Sequence, residues 1–79
     1  MRKVMVIEKD VVSARRMNSH WEAAGYESRA VTDPRQAAVE ACHWRPDLIT
    51  LDVGESEAEG RDVLLQLQSR PHTSRTPVV

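Results

Sequence analysis

The stretch Arg45-Pro46-Asp47-Leu48-Ile49-Thr50-Leu51-Asp52 decides the fold. Leu48 to Leu51 form a short apolar and β-branched run that follows a proline and stops at a carboxylate. That is the pattern of a buried strand. Pro46 ends the helix before it, and Asp52 marks its carboxyl end. The same pattern opens the chain. Lys3-Val4-Met5-Val6-Ile7 is apolar on both faces and stops at Glu8-Lys9-Asp10, as expected of a strand covered on both sides.

Between these runs the hydrophobic period changes. From Val12 onward, Ala14, Met17, Trp21 and Ala24 fall at steps of three, four and three and share one face of a helix. Gly25 supplies the left-handed stop. Glu27 to Val31 reads as a weak, polar strand suited to a sheet edge. Asp33 then caps a second helix with Pro34 as its first residue, and Ala37, Ala38, Ala41 and Cys42 supply the buried face. After Asp52, Val53 to Glu59 is acidic and aperiodic and is expected to be a loop. Gly60 precedes a third helix lined by Val63, Leu64 and Leu67, and Thr76-Pro77-Val78-Val79 begins a fourth strand. The order β-α-β-α-β-α-β implies right-handed crossovers and an α/β parallel sheet with helices on both faces.

At 79 residues there is room for one small domain. The chain is 41% hydrophobic and 29% charged, ordinary for a globular protein. Eleven Lys plus Arg against twelve Asp plus Glu give a net charge of −1, which argues against nucleic-acid or anionic-membrane binding by bulk charge. The apolar runs are too short to span a membrane. The N-terminus turns acidic at Glu8, too early for a signal peptide, so the expected compartment is the cytoplasm. A single cysteine, Cys42, excludes an internal disulfide framework and a Cys-based zinc cluster.

Ligands of open parallel sheets bind at the carboxyl ends of the strands. If the first and third strands are neighbours, Glu8, Asp10 and Asp52 converge with Lys9 on one crevice. Clustered carboxylates repel one another unless a cation intervenes, and Mg²⁺ is the usual cation for oxygen ligands that keep some water. The plain alternative is that these residues are helix caps and solvated turns.

The blocks Val4-Met5-Val6-Ile7-Glu8-Lys9-Asp10, Ala24-Gly25-Tyr26, Arg45 to Asp52, Gly60 before Val63-Leu64, and Thr76-Pro77-Val78-Val79 together resemble a receiver domain of bacterial two-component response regulators. The resemblance runs over the whole chain. It implies a flavodoxin-like (CheY-like) fold with strand order 2-1-3-4-5, of which residues 1–79 hold the N-terminal part. A full receiver goes on through a switch Ser/Thr and a strand bearing an essential lysine to a last helix. These lie outside the 79 residues, which fit either a fragment or a naturally shortened receiver. The resemblance further implies that Asp52 accepts a phosphoryl group from a sensor histidine kinase, as a phosphoacceptor rather than an enzyme. Mg²⁺ would be held by Glu8, Asp52 and the backbone carbonyl of Gly54. The partners implied are that kinase and an output domain or effector protein, with no membrane contact and no direct nucleic-acid binding by this domain.

Two departures bear on activity. Receivers usually carry an acidic residue where this chain has Lys9, and an ammonium cannot ligate a metal. Mg²⁺ affinity is expected to be weakened, with Asp10 a candidate for partial replacement and Lys9 a candidate counter-ion to Asp52. The loop Val53 to Gly60 keeps its length and closing glycine but has Ser56 where a proline is usual, and it carries three glutamates. Both changes favour the alternative of a pseudo-receiver, a protein-interaction module that works without phosphorylation. A nucleotide-binding enzyme is the weakest reading, because no glycine-rich loop follows the first strand.

His20, His43 and His72 share no ligand spacing and read as surface or helix-end residues. Trp21 reads as core and Trp44 as local packing near a helix end. An uncovered edge at the fourth strand leads us to expect self-association.

Overall fold

The computed structural model describes residues 2–79. The first strand, β1 (Lys3–Glu8), lies in the middle of a parallel sheet of order β2-β1-β3, flanked by β2 (Glu27–Val31) and β3 (Leu48–Asp52). This central place explains its apolar character on both faces, with Val4 to Ile7 all buried. Met5 and Ile7 point into a core formed with Val31, Ile49, Ala37, Ala38, Ala41, Val63 and Leu67. Val4 and Val6, on the other face by strand alternation, are covered on the side of helix α1 (Val11–Ala23), whose Ala14 is buried. Helices α2 (Pro34–Trp44) and α3 (Glu57–Gln68) pack on the first face and on each other. The expected architecture therefore stands, with helices on both faces.

Local chemistry sets the boundaries. Asp10 caps α1 by accepting the Ser13 N–H at 2.9 Å, so the helix starts at Val11, one residue before the apolar period suggests. Asp33 and Pro34 start α2 as expected. This helix ends through Arg45, which takes a left-handed φ of 56° so that the chain can turn into Pro46. The Asp47 carboxylate then accepts the Lys3 N–H at 2.8 Å and fastens the entry of β3 to β1.

Three expectations need correction. The segment Val53 to Glu59 is not all loop, because α3 begins at Glu57, with Ser56 as its N-cap accepting the Glu59 N–H at 3.2 Å. Glu57 and Glu59 favour this first turn through the helix dipole. Gly60 thus lies inside α3, where a Cβ would come within 3.2 Å of a Val53 methyl. The fourth strand amounts to one parallel bridge between Ile49 and Val78 on the far side of β3. Its bonds run from Ile49 N–H to Pro77 O, from Val79 N–H to Ile49 O and from Leu51 N–H to Val79 O, a pairing too short to count as a strand.

The apolar face of α1 is only partly covered. Met17 and Ala24 are exposed, and Trp21 is half-buried against Tyr26, the rings edge to face at 5.1 Å. Between α1 and the sheet runs an open groove of about 850 Å³, lined by Met17, Trp21, Val6, Leu51 and Val79, with Glu8 and Asp52 at its polar end. Cys42 and Leu64 are also half-buried rather than buried.

The core makes a direct prediction. Ile49 is fully buried between β1, the Val78 bridge and the α2–α3 layer. Ile49→Ala is expected to destabilise the chain by about 2–5 kcal/mol, through lost transfer energy and the cavity left behind. Urea unfolding should show a lower midpoint with an unchanged slope. A midpoint that stays put would mean the site collapses or is not core.

Candidate functional site at the carboxyl end of the sheet

The site begins with register. In the parallel pairing of β1 with β3, Val4 stands opposite Leu48, Met5 opposite Ile49, and so on to Glu8 opposite Asp52. Neighbouring strands lie about 4.8 Å apart, and register partners share a face, so the two carboxylates are brought side by side. The structure thus joins two of the residues singled out in the sequence.

Asp52 is fixed by its own loop. Gly54 has a left-handed φ of 75° and donates its N–H to Asp52 Oδ1 at 2.9 Å, a turn closed by the side chain. This is the one backbone N–H bonded to that carboxylate among the described residues. Asp52 itself is exposed. Its neighbour Glu8 is half-buried, and its pKa is raised, first by that burial and next by the Asp52 charge; the Asp10 N–H acts against the shift.

Asp10 lies beside the pair, and its charge adds to the rise in the Glu8 pKa. Its carboxylate caps α1, and the Ser13 N–H holds its pKa below the usual carboxylate range. Lys9 reaches towards α3. Strand alternation carried one residue past β1 puts it on the α3 side, where its Nζ forms an ion pair with Glu59 at 3.0 Å. No ion pair joins Lys9 to Asp52 among the described residues. The Lys9–Glu59 pair is substantially open to water, and such pairs contribute about 0–1 kcal/mol.

The donor set bears on the expected Mg²⁺. Two adjacent, mutually repelling carboxylates are what a hard cation relieves. Among the described residues, no group of three or more His, Cys, Asp or Glu side chains gathers to hold a metal. Two carboxylates suit an ion that keeps much of its water and takes its other protein ligand from a backbone carbonyl such as that of Gly54. They do not suit an all-protein cage.

The remaining residues singled out in the sequence lie elsewhere. His20 and His43 are exposed, and His72 is exposed beside the Arg45 guanidinium at 3.2 Å. Trp44 is half-buried, packed on the core and flanked by Lys3 Nζ at 5.4 Å and Arg29 Cζ at 4.9 Å from its ring centre. Sequence reasoning missed Glu59 as a partner in the site. The signal was present in Ser56-Glu57-Ala58-Glu59, the S-x-x-E pattern that starts a helix.

No protein-family model matches the chain, and no curated protein matches it in sequence. Solved structures do. The Vibrio cholerae chemotaxis protein CheY4 superposes with a TM-score of 0.88 at 24% identity, over 99% of this chain and 65% of that one. The N-terminal domain of a response regulator receiver protein from Methanoculleus marisnigri JR1 gives 0.83 at 22%, over 99% and 63%. The Mn²⁺-bound form of response regulator Rcp1 gives 0.72 at 21%, over 99% and 63%. The chain spans less than two thirds of the length of each. It has the fold of response-regulator receiver domains, in agreement with the resemblance of its sequence blocks.

The raised Glu8 pKa has a pH consequence. As pH rises from the ordinary glutamate value through the raised one, the unfolded chain has already lost the Glu8 proton while the folded chain still holds it. Stability therefore falls across that interval. Asp52→Asn should bring the Glu8 pKa down and flatten the fall. Carboxyl-carbon NMR titration of both chains checks this. An ordinary Glu8 value in the unsubstituted chain, or one unmoved by the substitution, would overturn the pairing.

Proposed function

We propose that the chain is the phosphoacceptor portion of a two-component receiver and that Asp52 is the residue modified. The observation that carries the reading is the Glu8–Asp52 register at the carboxyl end of β3, with one Asp52 oxygen pinned by the Gly54 N–H. In the reaction a carboxylate oxygen of Asp52 attacks the phosphorus of a phosphohistidine or a small acyl phosphate. The bond from phosphorus to the donor breaks, and the leaving group takes the electron pair. Phosphoryl transfer asks mainly for position and charge neutralisation. Glu8, Asp52 and the Gly54 carbonyl would hold Mg²⁺, which supplies that neutralisation when bound. In this role the chain is the substrate of a sensor histidine kinase rather than an enzyme, and it passes its state to an output domain or effector. The location that fits is the cytoplasm; no helix among the described residues is long and apolar enough to cross a membrane.

A pseudo-receiver is the second reading. It is favoured by the two-carboxylate donor set and by Lys9 standing where receivers usually have an acid. Incubation with acetyl phosphate and Mg²⁺, followed by intact mass, separates the two. The first reading expects a labile gain of one phosphate that Asp52→Ala abolishes. A folded chain that gains nothing supports the second.

A further inference from the structure

The sequence Ser56-x-x-Glu59 predicts a reciprocal cap, in which Ser56 bonds the Glu59 N–H and the Glu59 carboxylate reaches back to the Ser56 N–H. The structure makes only the first half. Ser56 Oγ accepts the Glu59 N–H, but the Glu59 carboxylate is turned to Lys9, and the Ser56 N–H has no partner among the described residues. Glu59 therefore has two competing partners within reach, one in its own helix and one in the β1–α1 turn.

We propose that Lys9 is the anion-binding group of the Asp52 site and that Glu59 holds it in reserve. Lys9 follows Glu8, which stands directly opposite Asp52, and its four-carbon stem allows the ammonium to swing from the α3 side to the Asp52 side. An exposed lysine–glutamate pair is weak, whereas a phosphoryl group brings nearly two negative charges and three strong acceptor oxygens. When the anion is present, Lys9 leaves Glu59 for it. Glu59 falls back on the Ser56 N–H, still within the field of Arg35 at the start of α2, and completes the cap. The state of Asp52 is thereby written into the first turn of α3. Lys9 offers no metal ligand, but its ammonium supplies positive charge to the bound phosphoryl group. This device rests on the receiver reading for its trigger, while the exchange of partners by Glu59 can be tested without it.

The readout is hydrogen exchange at the Ser56 amide, followed by NMR. In Lys9→Met, with no phosphate donor, Glu59 has lost its competing partner, and exchange at Ser56 should slow about five-fold, the factor expected for one net hydrogen bond. In Glu59→Ala it should stay fast under every condition. Unchanged exchange in Lys9→Met overturns the partner exchange. With excess acetyl phosphate and Mg²⁺, the unsubstituted chain should show the same slowing as its mass rises by one phosphate. Labelling with an unmoved Ser56 amide overturns the switch, whereas absence of labelling in the folded chain overturns the receiver reading and the trigger with it.

Discussion

The parallel pairing of β1 with β3 is the constraint on which the rest of the structure depends. It places Glu8 against Asp52, and it obliges the chain to cross over the sheet between strands, which is why helices cover both faces. Strand alternation then distributes the residues beyond β1. Glu8 stays with Asp52, and the next residue, Lys9, is delivered to the opposite face, where α3 begins. A slip of one residue in this ladder would send Met5 and Ile7 out of their core and part the two carboxylates together. Core packing therefore enforces the geometry of the site.

Helix termini compete with the site for polar side chains. Asp10 caps the N-terminus of α1, which claims one of its carboxylate oxygens. At α3, Ser56 caps but Glu59 does not, because an ammonium from the β1–α1 turn holds it. The charge balance at the mouth of the crevice is thus set by which donors the backbone has already claimed. Counting acids and bases near Asp52 in the sequence gives three carboxylates and a lysine. In the folded chain the same residues resolve into a repelling pair, a cap and a separate ion pair.

Features governed by nearest neighbours were legible in the sequence. β1 and β3 read true because apolar runs ended by carboxylates have few other fates, and α2 read true because Asp33-Pro34 and Pro46 bracket it. The start of α3 was missed because a run of glutamates with a glycine lacks apolar period, although Ser56 and Glu59 marked the first turn. The destinations of Met17 and Lys9 were not legible. Periodicity tells which side chains share a face, not whether that face is covered, and an ion pair fifty residues apart depends on how the sheet brings its loops together. The pairing of Glu8 with Asp52 lay between these cases, since the sequence supplied both residues and only strand order joined them.

The opposite end of the sheet is built differently. There Trp44 is held between Lys3 and Arg29, Lys3 Nζ reaches the Trp44 carbonyl at 3.2 Å, and Asp47 fastens the Lys3 backbone. These contacts join β1, β2 and the α2–β3 turn without using any residue of the carboxylate end. The molecule is in effect clamped at its base and loosely charged at its rim. Substitutions at the rim, such as at Lys9 or Ser56, therefore leave the clamp that keeps the scaffold folded untouched. The scaffold thus tolerates changes of charge at one end that it would not tolerate at the other.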